Sequence, residues 1–382
     1  MKRIASALLT FPFVLLLAAL PCVAQQFAPP VYYTVGIKGA EPEQLVTADF
    51  NNDGKLDLAV IDVSTRNVAV LLGNGDGTFQ PPQHVPVSYP IYIATADLNG
   101  DGKADLVVLG WGASAYVTVL LGNGDGTFSS KSRFLADAYP VAVTIADFNG
   151  DGHPDLAVAN SNNDQTTNGY VSFYTGKGDG TFTAGAHYFA GKHPWAVSAG
   201  DLNGDGHLDL VVADDNNTGG NNTLYVLMNN GDGTFHLKGY YQTGLESLFT
   251  SIADLNRDGI PDLVVASAFN QGIEVLLGNG DGTFAAPVFY STGSFGAAPY
   301  ATVVADFNMD GIPDIAVTLY QGPVLLFLGK GDGTFQPAVS QTGSSAAGGT
   351  SLVVGDFNHD GAPDVAASVF AGESVLILIN KQ

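Results

Sequence analysis

The nonapeptide DFNNDGKLD at residues 49–57 recurs as DLNGDGKAD (97–105), DFNGDGHPD (147–155), DLNGDGHLD (201–209), DLNRDGIPD (254–262), DFNMDGIPD (306–314) and DFNHDGAPD (356–364). Successive copies lie 48, 50, 54, 53, 52 and 50 residues apart. A period of this length marks a chain built from one supersecondary unit, whose apolar faces are covered only by stacking on its neighbours. No other feature constrains the fold as tightly.

The same punctuation returns within each period. A short apolar lead-in (QLVTA, 44–48) precedes the acidic loop, followed by LDLAVID (56–62), NVAVLLG (67–73), GNGDGTF (73–79) and a Pro-containing extended stretch. Short runs rich in Val, Leu and Ile, bounded by Gly, Asn and Asp, are strands, and no sustained helical period follows residue 24. Four strands per period, repeated seven times, predict an all-β fold: a seven-bladed β-propeller of four-stranded antiparallel blades.

GDGTF occurs six times, at Asp76, Asp125, Asp179, Asp232, Asp281 and Asp332. Its glycines permit positive φ, so we read it as a tight hairpin turn with the Phe packed between blades. A metal role for these aspartates is the alternative. The seventh period ends at LILINKQ, where GDGTF is due, while QFAPPVYYTVG (26–36) matches TFAAPVFYSTG (283–293) from the fifth period. The N-terminal segment is therefore expected to form the outer strand of the last blade, closing the ring and tying down both termini.

Met1-Lys2-Arg3, the apolar run Ile4 to Leu20 and Pro21-Cys22-Val23-Ala24 have the pattern of a secretory signal peptide cut after Ala24. A retained anchor and a lipoprotein acylated at Cys22 are the alternatives. The expected organisation is a signal peptide over 1–24 and one propeller over 25–382, exported to the envelope or beyond, with no membrane span in the mature chain. Cys22 is the only cysteine, so a mature chain without disulfides relies on a large core or on bound metal. Loss of Lys2 and Arg3 leaves 12 Lys+Arg against 37 Asp+Glu, a balance of −25. Such a surface repels nucleic acid and anionic lipid and attracts cations.

In D-x-N-x-D-G-x-x-D, positions 1, 3, 5 and 9 all carry oxygen donors. They are Asp49, Asn51, Asp53 and Asp57; Asp97, Asn99, Asp101 and Asp105; Asp147, Asn149, Asp151 and Asp155; and Asp201, Asn203, Asp205 and Asp209. The last three copies supply Asp254, Asn256, Asp258 and Asp262; Asp306, Asn308, Asp310 and Asp314; and Asp356, Asn358, Asp360 and Asp364. A backbone carbonyl at position 7 (Lys55, Lys103, His153, His207, Ile260, Ile312 or Ala362) adds a fifth ligand, and water completes the shell. A hard cation taking about six to eight oxygens at flexible geometry suits this set, and Ca²⁺ suits it best, up to seven ions in all. Mg²⁺ demands stricter geometry, and Zn²⁺ would want His or Cys. An EF-hand would need a Glu at position 12, where this chain has Val60, Val108, Val158, Val212, Val265, Val317 or Ala367. Simple acidic turns are the bland alternative, which seven complete donor sets argue against.

Repeats of the form DFNGDGHPDLAVAN…GKGDGTF resemble the FG-GAP-like (VCBS) repeats of bacterial secreted proteins and are similar to the calcium-bearing blades of the integrin α-subunit propeller. The resemblance covers the chain beyond the leader. It implies seven blades with calcium between the first and second strands of each, and a role in adhesion or binding. Integrin α chains carry metal in only some blades, so a full set is a departure. The family includes lectin-like and lyase-associated propellers, so the resemblance leaves the ligand open.

Outside these motifs ten acids remain, and Asp214-Asp215 is the only adjacent pair; neighbours in an extended chain point to opposite sides. No Ser/His/Asp pattern, phosphate loop or Cys/His metal spacing is evident, and His193 in HPW (193–195) is the one histidine leading into an inner strand. We therefore expect no enzyme. Six residues before each first Asp the residue varies freely: Glu43, Ile91, Val141, Trp195, Leu248, Tyr300 and Thr350. These positions should ring the channel mouth opposite the acidic loops. Tyr89, Tyr92, Tyr139, Trp195, Phe249 and Tyr300 are expected on that face, to stack on sugars or anchor a protein, or else to pack between blades. The polar insertions 161–169 and 214–223 belong to the same face. The expected function is a monomeric binding or adhesion module for an extracellular protein or glycan. The rivals are a carbohydrate-active propeller and a structural envelope protein.

Overall fold

The computed structural model describes residues 26–381 except 37–38, 113–114, 138, 162–167, 216–221, 245–246, 294–297 and 343–348. The expected leader and most of both polar insertions lie outside the described residues.

The first period folds as blade 1. After β1 (Val31–Thr34) come β2 (Pro42–Ala48), β3 (Asp57–Asp62), β4 (Asn67–Leu71) and β5 (Gln83–Pro86), in antiparallel sheet order β2-β3-β4-β5. β3 is buried at every position, which explains its unbroken apolar run, whereas β5 is largely exposed at the outer edge. Among the described residues the strands form seven four-stranded sheets, and no helix is long and apolar enough to cross a membrane. The first strands touch in cyclic order: β2, Pro90–Ala96, Pro140–Ala146, Pro194–Gly200, Ser247–Ala253, Pro299–Ala305, Leu352–Gly355, and back to β2. The expected seven-bladed ring is therefore present, with its apolar core divided among the blade junctions.

β1 completes the seventh blade, pairing antiparallel with Ser374–Leu378 in the register Tyr33↔Val375. Ahead of it, Phe27 is fully buried, lies edge-on to Phe307 at 5.7 Å and bridges Asn380. Phe27 thus does in blade 7 what the Phe of GDGTF does elsewhere.

GDGTF is a structural turn. Asp76 Oδ1 accepts the Thr78 amide at 3.0 Å and the Thr78 hydroxyl at 2.5 Å. Phe79 is buried against Phe357 of blade 7, ring centroids 5.6 Å apart. The same aspartate–threonine pair closes the turns at Asp125, Asp179, Asp232, Asp281 and Asp332.

A β-bulge opens near the start of the inner strands. Pairing skips from Pro90 to Tyr92, Pro140 to Ala142, Pro194 to Ala196, Ser247 to Phe249 and Pro299 to Ala301, and from Pro42 to Leu45 in blade 1. The skipped residues leave the hydrogen-bond ladder, and such bulges re-aim side chains at the ends of sheets.

Candidate functional site

In blades 1 to 6 each inner strand carries an acidic loop at one end and a bulged residue at the other, separated by the length of seven extended residues, about 20 Å.

The acidic loops are pre-formed on their own amides. Asp49 accepts the amides of Asp53 and Gly54 at 3.1 and 2.8 Å through its two oxygens. Asn51 Oδ1 accepts the Asp53 amide, and Asp53 Oδ1 the Lys55 amide, each at 3.0 Å. The chain turns through left-handed backbone at Asn52 (φ 57°) and Gly54 (φ 82°). Each of these oxygens keeps lone pairs for a cation.

Position 9 has a role that side-chain spacing did not reveal. Asp57 is fully buried, its Oδ2 accepting the Phe50 amide at 2.9 Å and its Oδ1 the Gly73 amide at 2.7 Å. It staples the acidic loop to the turn that follows β4. Asp105, Asp155, Asp209, Asp262, Asp314 and Asp364 make the same pair of bonds in their blades. Burial pushes the Asp57, Asp209, Asp314 and Asp364 carboxyls up to about 6, against the pull of the two amides, and the position 5 carboxylates add to the rise. Position 5 is exposed; donation from Asn203 and the His207 amide holds Asp205 below the usual carboxylate range.

Among the described residues no three His, Cys, Asp or Glu side chains are gathered closely enough to hold a metal ion. The donor set nevertheless fits a hard cation by its chemistry, being all oxygen and carrying three carboxylates in one short loop. In blades 1 and 2 the position 7 lysines lie against position 5, Lys55 to Asp53 at 3.4 Å and Lys103 to Asp101 at 3.5 Å.

At the opposite end a cavity of about 330 Å³ is lined by the variable residue of every blade: Glu43, Ile91, Val141, Trp195, Leu248, Tyr300 and Thr350. Tyr92 and Phe249 also line it, and both pack partly against blade cores as well. Tyr89 and Tyr139 are not among its lining residues. Each has left-handed backbone (φ 45° and 55°) just before the proline that opens its strand. Tyr89 is exposed under the Arg66 guanidinium at 3.8 Å, and Tyr139 lies edge-on to Trp111 at 5.5 Å. Trp111, Tyr320 and Phe370 line the cavity without having been singled out from the sequence. All three occupy one repeat position, directly after the second strand, so a comparison of repeats there would have found them. Tyr300 stacks on Tyr320 at 5.3 Å.

Burial pushes the Glu43 carboxyl up to about 7, with repulsion from Glu41 adding to it. Beside the cavity, His193 stacks on Trp195, its Nδ1 4.0 Å from Asp215 Oδ2. Asp214 instead accepts the Lys192 and His193 amides, at 3.0 and 2.5 Å. The two aspartates thus serve different partners rather than one substrate bond.

A Ser/His/Asp set invisible in the sequence does assemble in blade 3. The Ser172 hydroxyl donates to Asp137, lies 3.2 Å from His187 Nδ1 and accepts from Asn160 Nδ2 at 2.8 Å. Ser172 is buried, and its proton is committed to the carboxylate. A nucleophile needs that proton taken by the imidazole, so the cluster is a polar tie between strands.

These features define a repeat propeller whose acidic loops sit at the blade junctions. The segments 49–108, 97–158, 147–212, 201–265, 254–317 and 306–367 each match the FG-GAP-like repeat, and the chain belongs to that family. No curated protein matches its sequence. Among solved structures, two crystal structures of BBS1N in complex with ARL6DN, one soaked with lead and one with mercury, are similar to this chain. TM-scores are 0.61 and 0.62 at 13% identity, covering 93% of this chain and 96% of the other, a likeness of fold alone.

Proposed function

We propose that the protein is a secreted, calcium-loaded propeller that works as a binding or adhesion module, engaging an extracellular protein or glycan at its aromatic mouth. One observation carries this reading: the two ends of the inner strands are built to opposite rules. The oxygen donors are identical in all seven acidic loops, as a shared structural duty requires, while seven different residues meet in one cavity at the other end. Variation on a rigid scaffold is where specificity resides. Positions 1, 3, 5 and 9 would hold the ion, whose double charge would offset two of each loop's three negative charges. BBS1N, a similar fold, is in complex with a protein, which supports a protein partner here. We read the action as binding without turnover, since the polar clusters described lack a free nucleophile or a facing carboxylate pair.

The test is capture from glycan arrays and extracellular protein libraries by wild type and by Trp195→Ala and Tyr300→Ala. Capture lost in the variants, with the unfolding midpoint retained, supports the mouth as the binding face. Capture unchanged in both would move the function elsewhere.

A further inference from the structure

We propose that the channel-mouth cavity takes an alkylammonium cation, with Glu43 as its counter-ion and the aromatic side chains as its cage. The inference rests on the reading of this mouth as the binding face and names the chemistry it recognises.

Among the described residues that line the cavity, Glu43 is the only Asp, Glu, Lys, Arg or His. Among the described residues its carboxylate has neither a hydrogen-bond donor nor a cation against it, and the charge it feels is the repulsion of Glu41. A partly buried carboxylate in that position is electrostatically incomplete. The Thr350 hydroxyl donates to the Glu43 carbonyl at 2.7 Å, so it steadies the Glu43 backbone and leaves the carboxylate unserved.

The walls supply the other half of the recognition. Trp111, Trp195, Phe249, Tyr300, Tyr320 and Phe370 converge from five blades. Aromatic faces attract a cation through their quadrupole, most strongly where water is excluded, and quaternary ammonium groups are the usual beneficiaries. An anion meets Glu43 and a chain carrying 37 acids against 14 Lys+Arg. A volume of about 330 Å³ holds a small organic cation or the end of one modified side chain.

Calorimetric titration of the calcium-loaded mature protein tests this with three probes. They are choline, the neutral alcohol in which carbon replaces its nitrogen, and a peptide bearing Nε-trimethyllysine. We expect at least one cation to bind ~10-fold or more tighter than the neutral alcohol. Glu43→Gln should abolish that preference without lowering the unfolding midpoint, and Trp195→Ala should weaken cation binding. Preference for choline identifies a small-molecule source, and preference for the peptide a protein side chain. Equal binding of choline and the alcohol, with no binding of the peptide, overturns the cation assignment while keeping an apolar binding mouth. A preference that survives Glu43→Gln overturns the role of Glu43. No binding of any probe overturns the inference, while Trp195-dependent capture from the arrays would still uphold the mouth as the binding face.

Discussion

The amide of Gly77 in blade 1 donates to the carbonyl of Phe357 in blade 7 at 2.9 Å. One short turn thus ties the first complete repeat to the last, by a bond that recurs as Gly126 to Phe50, Gly180 to Leu98 and Gly282 to Leu202. In all four the acceptor is position 2 of an acidic loop, so these loops are joints between blades. The seventh joint has no GDGTF and uses Phe27 and Asn380 instead, Asn380 Nδ2 donating to the Phe307 carbonyl at 2.8 Å. Phe27→Ala should therefore cost about 3–5 kcal/mol in equilibrium denaturation, as expected for a fully buried aromatic ring. Tyr32→Ala, on the exposed face of the same segment, should stay within about 0.5 kcal/mol. Equal effects would deny Phe27 its part in closure.

Asp53 and Asp57 belong to one loop but should fail differently. In Asp57→Asn the amide NH₂ faces a backbone donor, leaving the Phe50 or Gly73 amide unsatisfied. That should cost about 1–3 kcal/mol even in chelator. In Asp53→Asn the side-chain carbonyl still accepts the Lys55 amide, so stability in chelator should change by less than about 0.5 kcal/mol. Only calcium affinity at that loop should fall. Denaturation with and without chelator separates the two outcomes, and matching profiles would refute the stapling role of position 9.

Glu43 sets a pH dependence. Its carboxyl is raised to about 7 in the fold, above an unfolded value near ~4.3. The folded state therefore holds the proton more tightly, and stability falls as pH rises from the unfolded value through the folded one. Glu41 shares its segment, and among the described residues Tyr92, Tyr300 and Tyr320 are the other titratable groups lining the cavity. Without ligand, Glu43→Gln should raise the midpoint by about 3 °C at pH 8 and leave it unchanged below pH ~4. An unchanged midpoint at pH 8 would mean that Glu43 is already paired.

The ring and its closure were legible because seven copies expose a period, and because Phe27 sits in a segment that copies the stretch around Phe284. The aromatic mouth was half legible. Comparing repeats found Trp195 and Tyr300, but Tyr89 and Tyr139 themselves take a left-handed backbone, whose effect no spacing displays. Trp111, Tyr320 and Phe370 went unnoticed because they come from the other connection of the blade. The staple made by Asp57 was hidden for a different reason: its partners are backbone amides, which leave no mark on a pattern of side chains. Asp137, Ser172 and His187 meet only because neighbouring strands and the segment before them converge in blade 3.

The most direct measurement of the central claim is thermal unfolding of the mature protein in millimolar Ca²⁺ and after complete metal removal. A site at a hundred times its dissociation constant adds about 2.7 kcal/mol, and seven loops act on joints around one ring. The midpoint should fall by more than about 10 °C on chelation, recovering with Ca²⁺ and poorly with Mg²⁺. An identical midpoint in the two states, with metal removal verified, would contradict the account and leave the acidic loops as turns held by their own amides.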